Sequence, residues 1–223
     1  MCGRYTLSTS GDELAQQFGI SELSDWAPRF NIAPSQPVPV LTCTQSQTQV
    51  EYMHWGLVPS WSKDKKLGSK MINARAETVS EKPAYRTAYR KRRCLVLADG
   101  YYEWVKQAGG KQPYYMRLRS DQPFAFAGLW EKWQSKDDSN YLSCSIITCA
   151  SNGQLAPLHH RMPVIVEPTE YGNWLDDKTS IDSIAQLLKP LANGMLATIP
   201  VSTFVNSPAH EGPDCVIEHE TQA

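Results

Sequence analysis

Apolar runs bounded by polar turn residues fill the middle of the chain, and this pattern predicts β-strands. The predicted strands are Val38–Thr42, Gln49–Trp55, Cys94–Leu97, Tyr101–Val105, Tyr114–Arg119, Phe124–Leu129, Leu142–Thr148 and Met162–Val166. The first two read as a strand pair joined by a polar turn.

Helix signals lie toward the two ends of the chain and once in its middle. Ser10 is a candidate N-cap with acidic residues in the following turn, and Ser80 with Pro83 resembles a second helix start. The predicted helices are Asp12–Phe18, a helix from the Ser80 start to about Tyr89, and a pair over Thr169–Leu175 and Ile181–Leu188. Because regular βαβ alternation is absent, we expect an α+β fold with a mostly antiparallel, curved, barrel-like sheet core and peripheral helices. We expect one domain over residues 1–223, with a core of about 2–217 and a tail of 218–223.

The composition, 41% hydrophobic and 20% charged over 223 residues, is that of an ordinary globular protein. No apolar run approaches the ~18 residues of a membrane span, and the first residues lack the pattern of a signal peptide. The six cysteines form no CxxC pair, so we expect neither a structural zinc site nor a disulfide framework, and a reducing cytosol as the compartment. We expect no metal and no cofactor, because the sequence has neither metal-ligand spacing nor a phosphate-binding glycine loop.

Charge is distributed unevenly although the net charge is only −1. Residues 62–93 contain eleven Lys or Arg against three Asp or Glu, whereas residues 162–223 contain two basic against nine acidic residues. A polyanion would therefore meet one attractive and one repellent face, which suits a directional nucleic-acid groove. A solvated charged surface is the alternative, so charge alone does not establish a nucleic-acid partner.

The residue after the initiator methionine is a cysteine. A small residue at position 2 favours removal of Met1, which would leave Cys2 with a free α-amine beside its thiol. The reference pKa values of these groups are about 8 and about 8.5, so both reach reactive forms near neutrality. Such an aminothiol captures an aldehyde twice, because the amine forms an imine and the sulfur then closes a thiazolidine ring. Any protein can carry a cysteine here, so the remaining motifs must decide.

Six short segments combine reactive or recognition residues with tight-turn residues in a way that core packing does not require. They are Met1-Cys2-Gly3-Arg4, Arg29–Pro34, Trp55–Trp61, Ile72–Glu77, Ala98–Trp104 and His159–Pro163, and the later Val201-Ser202-Thr203 and Val205-Asn206 fit the same pattern. With these segments the chain closely resembles the SRAP family, the SOS-response-associated peptidase or abasic-site-processing proteins. The resemblance runs from residue 2 to about residue 217, and six segments in the right order make it specific.

The resemblance implies the SRAP fold and a protein that senses abasic sites in single-stranded DNA. It implies that Cys2, exposed by autocatalytic or aminopeptidase removal of Met1, forms a thiazolidine crosslink with the ring-opened sugar aldehyde and protects the lesion during the DNA damage response. Lyase cleavage and self-reversal are chemically close to this reaction. The expected partner is single-stranded DNA containing abasic sites. We expect a monomer with no membrane partner, in the cytoplasm or at a bacterial nucleoid, and leave replication-fork proteins open as further partners.

By the same resemblance, the catalytic residues are Cys2, Asn73, Glu103 and His159. Glu103 lies on an aromatic-flanked strand where its pKa could be raised, which would suit it to proton shuttling, although an isolated strand glutamate is most often exposed. His159 can hydrogen-bond or protonate the opened sugar, and its neighbour His160 is the rival. Asn73 can hydrogen-bond the sugar oxygens and shares a strand face with Arg75.

DNA contacts are expected, again by the resemblance, from Arg4, Pro34, Trp61, Arg75, Trp104, Thr148 and Arg161. The arginines would hold phosphates, with a surface ion pair as the alternative. Proline and tryptophan would wedge between bases or stack on them, with core packing as the alternative. For Trp55 we expect core packing. Some relatives have two adjacent tryptophans where this chain has Trp61-Ser62, so we expect a smaller stacking platform on that side.

Two other functions remain as alternatives. A cysteine peptidase acting on other proteins would use Cys2, His159 and Glu103, but nothing in the sequence marks the oxyanion hole and peptide cleft it needs. A non-covalent reader of modified or single-stranded DNA would use only the basic face and the aromatic residues, and its binding would disappear at high salt.

Overall fold

The computed structural model describes residues 2–20, 23, 25–44, 47–107, 110–134 and 140–219, and within these ranges thirteen strands form two sheets. The strands are β1 (Tyr5–Leu7), β2 (Arg29–Ile32), β3 (Pro37–Thr44), β4 (Gln47–Trp55), β5 (Asn73–Arg75), β6 (Arg93–Ala98), β7 (Gly100–Gln107), β8 (Gly110–Leu118), β9 (Phe124–Gln134), β10 (Asn140–Ala150), β11 (Arg161–Pro163), β12 (Ile165–Val166) and β13 (Leu196–Pro200).

Five strands of the larger sheet close into a barrel. β3 pairs with β4 and β6, β9 pairs with β6 and β10, and β10 returns to β4. The β4–β10 contact is parallel and the other four are antiparallel. Beyond β4, the next segment of β10 pairs with β5 on one side and β11 on the other, so that Thr148 lies between Arg75 and Pro163. This end of β10 brings two of the predicted site segments together.

The second sheet has the strand order β13-β8-β7-β1-β2 and packs on the barrel through aromatic rings. Tyr5 of β1 contacts Trp55 at 5.2 Å and Phe126 at 5.9 Å between ring centroids. Tyr101 of β7 contacts Phe126 at 6.0 Å. Because edge-to-face pairs of this kind bury large apolar areas, these rings join the two sheets into one core. The segment that begins with Cys2 enters β1 at this junction.

In the part of the chain that the structure describes, four α-helices lie at the periphery: α1 (Gly11–Phe18), α2 (Arg86–Lys91), α3 (Tyr171–Leu175) and α4 (Ile181–Leu187). Ser10 caps α1 as predicted, in a capping box with Glu13, and Gly19 ends it in the left-handed region at φ 63°. No helix within the described ranges is long and apolar enough to cross a bilayer.

One predicted helix is shifted. The Ser80 start does not begin a continuous helix, and α2 runs over Arg86–Lys91 instead. Hydrogen-bonded turns fill the interval, with the Lys82 amide donating to the Thr78 carbonyl. The residue before a proline is disfavoured in the α region, so the Lys82-Pro83 step interrupts the helix that the earlier residues indicate.

The predicted fold class is confirmed: the chain is mostly antiparallel sheet, closed into a barrel, with helices outside it. The predicted strand Met162–Val166 is two short strands, because β11 pairs with β10 whereas β12 pairs with β9. Strands β1, β2 and β13 do not stand out in the sequence, since each has only three to five residues. Residues 45 and 46 of the predicted polar turn, and 220–223 of the predicted tail, lie outside the described residues.

Candidate active site

Cys2 lies just before β1 and is fully buried. Burial raises the pKa of its thiol well above the ordinary value, and the nearby Glu103 carboxylate raises it further. The thiol is therefore neutral at physiological pH. A neutral thiol needs a base close by when it attacks, because the thiolate is the nucleophilic form.

Asn73, the first residue of β5, contacts Cys2 directly. Its Nδ2 donates to the Cys2 carbonyl at 2.7 Å, and its own carbonyl accepts from the Tyr85 hydroxyl at 3.1 Å. The Asn73 Oδ1 atom is buried and has no hydrogen-bond partner among the described residues. A bound molecule could therefore donate a hydrogen bond to this oxygen, since a buried acceptor gains from being satisfied.

Glu103 of β7 is 5% exposed. Burial raises its pKa, and the His160 imidazole works in the opposite direction with a smaller effect. Glu103 is therefore not the exposed strand glutamate that residue statistics favour. The direction of its pKa shift agrees with the expectation from the sequence. A carboxyl group with a raised pKa can both accept and donate a proton near neutrality.

The burial of Glu103 is expected to make the stability of the fold depend on pH. Because the pKa of Glu103 is raised in the folded state, the folded state binds the proton more tightly than the unfolded state, and stability falls as pH rises from the ordinary glutamate value through the raised one. We expect Glu103→Gln to melt at the same temperature as the wild type near pH 4 and about 2–4 °C higher at pH 8. Calorimetry across this range checks it, with the exposed Glu167→Gln as the control. A difference in melting temperature that is independent of pH would contradict it.

His159 lies in the loop before β11 and is half-buried. Its Nδ1 lies 3.0 Å from both the amide nitrogen and the carbonyl oxygen of Arg161, so the tautomer of the neutral ring decides whether Nδ1 accepts from the amide or donates to the carbonyl. Burial lowers its pKa, which favours this neutral form at pH 7. His160 is exposed and stacks on His159 with ring centroids 4.4 Å apart. The backbone of Arg161 thus holds the His159 ring through Nδ1, while His160 lies close enough to Glu103 to affect its pKa.

Arg161, predicted to hold a phosphate, is buried and engaged by protein groups. It forms a two-pronged ion pair with Glu77, at 2.7 Å and 3.0 Å, and it donates to the Thr148 carbonyl and hydroxyl. Thr148 is fully buried, and its hydroxyl also contacts the Ala74 carbonyl at 3.4 Å. Arg161 of β11 therefore connects β10 to the turn that follows β5, and a forked ion pair of this type fixes the orientation of the guanidinium as well as adding energy.

Removing the Glu77 carboxylate is expected to change DNA affinity and reaction rate in opposite directions. In Glu77→Gln the guanidinium keeps its charge without its carboxylate, so binding to intact single-stranded DNA should tighten and its dependence on salt should steepen by up to about 0.7 in log–log slope. The His159 ring, positioned through Arg161, should be held less well, and the rate of any reaction in the bound complex should fall about tenfold.

Binding titrations at several salt concentrations, with single-turnover rates, check this split. Glu81→Gln removes an exposed carboxylate four residues away and is the charge-matched control. Equal effects of the two variants on both measurements would show that Glu77 contributes only its charge.

Arg4 is held by the segment that follows β13. Its Nη1 donates to Asn31 Oδ1 at 2.7 Å and to the Val205 carbonyl at 3.1 Å, and its guanidinium lies 5.8 Å from the Trp104 ring centroid. The Trp104 indole in turn donates to Asn206 Oδ1 at 2.7 Å. Arg4 and Trp104, predicted to contact DNA from two distant segments, thus lie side by side.

Asn31 holds the segment 205–210, which follows β13, through hydrogen bonds to its backbone. Its buried amide nitrogen lies within hydrogen-bond distance of the carbonyls of Val205, Ser207 and His210, and Arg29 adds an ion pair with Glu211 at 2.7 Å.

The remaining predicted DNA contacts differ in exposure. Trp61 is 62% exposed and, with Asn73, Arg75 and Tyr85, lines an open, mostly apolar cavity of about 400 Å³. Pro34 is half-buried in the turn after β2. Trp55 is fully buried, with its indole donating to the Ile72 carbonyl, as core packing predicts.

Taken together, the structure places Asn73 and Glu103 next to Cys2, and His159 lies in the loop before β11. Within the described residues there is no cluster of three His, Cys, Asp or Glu side chains that could hold a metal ion. The site therefore contains an aminothiol precursor, a buried carboxyl group, an imidazole and an amide.

Comparison with known proteins identifies the family. The model for the SOS response associated peptidase (SRAP) family matches residues 1–208. The chain belongs to the SRAP family. Among SRAP relatives, the abasic site processing protein YoqW of Bacillus subtilis is 39% identical over 98% of this chain and 100% of its own length. The abasic site processing protein HMCES of Gallus gallus is 31% identical over 99% of this chain and 78% of its own length.

A solved structure supports the assignment of the SRAP fold. A crystal structure of a protein from Bacteroides thetaiotaomicron superimposes with a TM-score of 0.88 at 28% identity, covering 98% of this chain and 100% of the other. A protein from Bordetella bronchiseptica, at 22% identity and a TM-score of 0.80, shares the fold.

Sequence reasoning left several residues of this SRAP site without a role. Glu77, Asn31 and Asn206 all stand in segments that the sequence singles out, but their partners lie 84, 27 and 102 residues away in the chain. Tyr85, whose hydroxyl donates to the Asn73 carbonyl, falls inside the helix predicted from the Ser80 start and has no predicted role in the site. The sequence signal that could have pointed to Glu77, Asn31 and Asn206 is that each is a polar residue inside one of the motif segments.

Proposed function

We propose that this protein processes abasic sites in single-stranded DNA by capturing the ring-opened sugar through the amino-terminal aminothiol of Cys2. Membership of the SRAP family, and relatives named as abasic site processing proteins, support the substrate. The observation that supports the mechanism is the arrangement around Cys2: Asn73 hydrogen-bonds its carbonyl, and the Glu103 carboxyl group lies close to its thiol.

The proposed reaction has three steps: hydrolysis, imine formation and ring closure. Hydrolysis of the Met1–Cys2 peptide bond consumes one water and frees the α-amine. The amine adds to the sugar aldehyde and water leaves, which forms an imine. The thiol sulfur then bonds to the imine carbon while its proton passes to the nitrogen, which closes the thiazolidine. The net capture is aldehyde plus aminothiol giving thiazolidine plus one water.

The residues divide these proton transfers among them. Glu103, with its raised pKa, accepts the thiol proton and returns it to nitrogen, because it is the buried carboxyl group whose charge acts on the Cys2 thiol. In the tautomer whose Nδ1 accepts from the Arg161 amide, His159 presents its Nε2 proton to the sugar oxygen that is released on ring opening. Asn73 orients the Cys2 backbone, and its Oδ1 accepts from the sugar or the amine.

DNA would approach Cys2 along the open cavity that Trp61, Asn73 and Arg75 line. Arg75 is exposed beside Asn73, and Trp61 offers an open ring face, so both suit contact with a flanking phosphate and base. Arg4, Trp104 and Pro34 are proposed to form part of this surface, and the buried Thr148 and Arg161 to support it from within. Asn31 holds Arg4 in place, and Glu77 holds Arg161.

The environment of the thiol disfavours a general cysteine peptidase. Such enzymes lower the pKa of the nucleophilic thiol with a cationic neighbour, whereas burial and a carboxylate raise the pKa of Cys2. Cleavage of Met1 alone accounts for peptidase chemistry in this proposal. If the imine persists before ring closure, β-elimination at the sugar follows, so lyase activity is expected as a minor outcome.

The test incubates the purified protein with single-stranded oligonucleotides carrying an abasic site, an intact base or a tetrahydrofuran analogue that has no aldehyde. We expect a product that survives boiling in detergent with the abasic oligonucleotide alone, at the mass of DNA plus protein lacking Met1, less one water. An adduct that retains Met1, or equal products from all three oligonucleotides, would overturn the proposal. Salt-sensitive binding with no stable adduct would favour the non-covalent reader.

A further inference from the structure

An aromatic cluster lies on the barrel where β4, β9 and β10 meet, and the mechanism above does not use it. It consists of His54, Trp133 and Tyr141, and we call it the barrel aromatic cluster. His54 and Tyr141 stack with centroids 4.4 Å apart, and Trp133 meets Tyr141 edge to face at 6.4 Å. All three are half-buried, and His54 points to the opposite side of β4 from the buried residues next to it, so the cluster is not part of the core.

Lysines accompany the cluster. The Lys65 ammonium lies 5.9 Å from the Tyr141 ring centroid, and Lys63, Lys66 and Lys70 of the same segment are exposed. This segment begins the stretch 62–93 that carries eleven basic against three acidic residues. Lysine is depleted at protein–protein interfaces, whereas aromatic rings interleaved with cations are typical of grooves that bind single-stranded nucleic acid.

The cluster is continuous with the candidate active site. The Trp133 indole donates to the Ser62 carbonyl at 2.7 Å, which places it next to the exposed Trp61. Trp61 lines the same cavity as Asn73. Along β10, Ile146 pairs with Asn73 and Tyr141 lies five residues earlier, a distance of about 17 Å at the usual rise of a strand.

We propose that the barrel aromatic cluster and Lys65 bind the single-stranded DNA on one side of the lesion, a few nucleotides from the captured sugar. The inference rests on the proposed function, since it needs a strand whose abasic site lies at Cys2. It extends the DNA path from Asn73 past Trp61 to His54. The surface adds affinity and a preferred direction of the strand, and takes no part in the chemistry.

The experiment uses abasic oligonucleotides with one nucleotide on each side of the lesion, too short to reach the cluster, or with ten more added on the 5′ or the 3′ side. Affinity is measured with the tetrahydrofuran analogue, and adduct yield with the abasic site. For the wild type, we expect extension on one side only to tighten binding about tenfold, in the range of one stacked base. Lys65→Gln and Tyr141→Ala should each lose most of that gain while the adduct yield on the shortest oligonucleotide stays unchanged.

Controls separate the possible failures. Lys178→Gln removes an exposed lysine beside α3 and should keep the gain. Lys65→Gln changes no strand residue, so it keeps the test valid if Tyr141→Ala folds poorly. Equal gains on both sides, or gains that survive both substitutions, would overturn this inference. Absence of any adduct on the shortest oligonucleotide would instead refute the proposed function.

Discussion

The Cys2→Ala variant is expected to give no adduct that survives boiling in detergent, a loss from near-complete capture to background. Removal of Met1 would still leave an α-amine at position 2, so the imine with the sugar aldehyde can form but cannot close to a thiazolidine. Borohydride should therefore trap a covalent product in this variant. The persistent imine should also increase strand cleavage by β-elimination relative to the wild type. Denaturing gels of the DNA and the protein, with and without borohydride, measure all three outcomes.

The control for Cys2→Ala is Cys43→Ala. Cys43 is a half-buried free cysteine in β3, more accessible than Cys2, so an adduct through an incidental thiol should respond to its loss. We expect full yield from Cys43→Ala. Chemical acylation of the mature amino terminus should remove both the thiazolidine and the borohydride-trapped product. A normal adduct from acylated protein would contradict the order of steps.

Glu103→Gln is expected to slow adduct formation by about 10²–10⁴-fold, the range of one general acid–base group. The amide keeps the size of the side chain but cannot accept the Cys2 proton, and a neutral buried thiol then has no base beside it to complete ring closure. Single-turnover rates against pH measure the effect, and the rise with pH that reflects ionisation of Glu103 should be absent from the variant.

Binding is the control for this slow reaction. Affinity for the tetrahydrofuran analogue should be unchanged in Glu103→Gln, because the buried carboxyl group does not reach a phosphate. Together with the higher melting temperature expected at pH 8, slow chemistry in a well-folded protein that still binds DNA would assign Glu103 to catalysis. A wild-type rate in the variant would move that role to His160, whose imidazole lies near Glu103.

Much of the barrel could be predicted from the sequence because its strands are long apolar runs. β6, β9 and β10 follow directly from that pattern. The closure of the barrel could not be predicted, since the parallel contact between β4 and β10 joins residues almost ninety positions apart through two residue pairs. β1 is three residues long and is defined by its partners on both sides, not by its own pattern.

The site divides in a similar way. Cys2, Asn73, Glu103 and His159 could be named from motif resemblance, and the chemistry of an aminothiol pointed to an aldehyde without any structure. What the sequence could not reveal is how the arginines are used: Arg161 is held by Glu77, and Arg4 by Asn31. An arginine in a motif looks the same whether it meets a phosphate or a carboxylate, and only its neighbours in space distinguish the two.

The place of β1 in its sheet has a mechanical consequence. β1 has β7 on one side and β2 on the other, and it begins three residues after Cys2. A motor pulling on a DNA strand joined to Cys2 would load this inner strand along its length, so both flanking ladders resist together in shear. Pulling the protein off the lesion by force would then require β1 to separate from both neighbouring strands. Because the Tyr5 ring of β1 joins this sheet to the barrel, we expect the whole protein to unfold at that step.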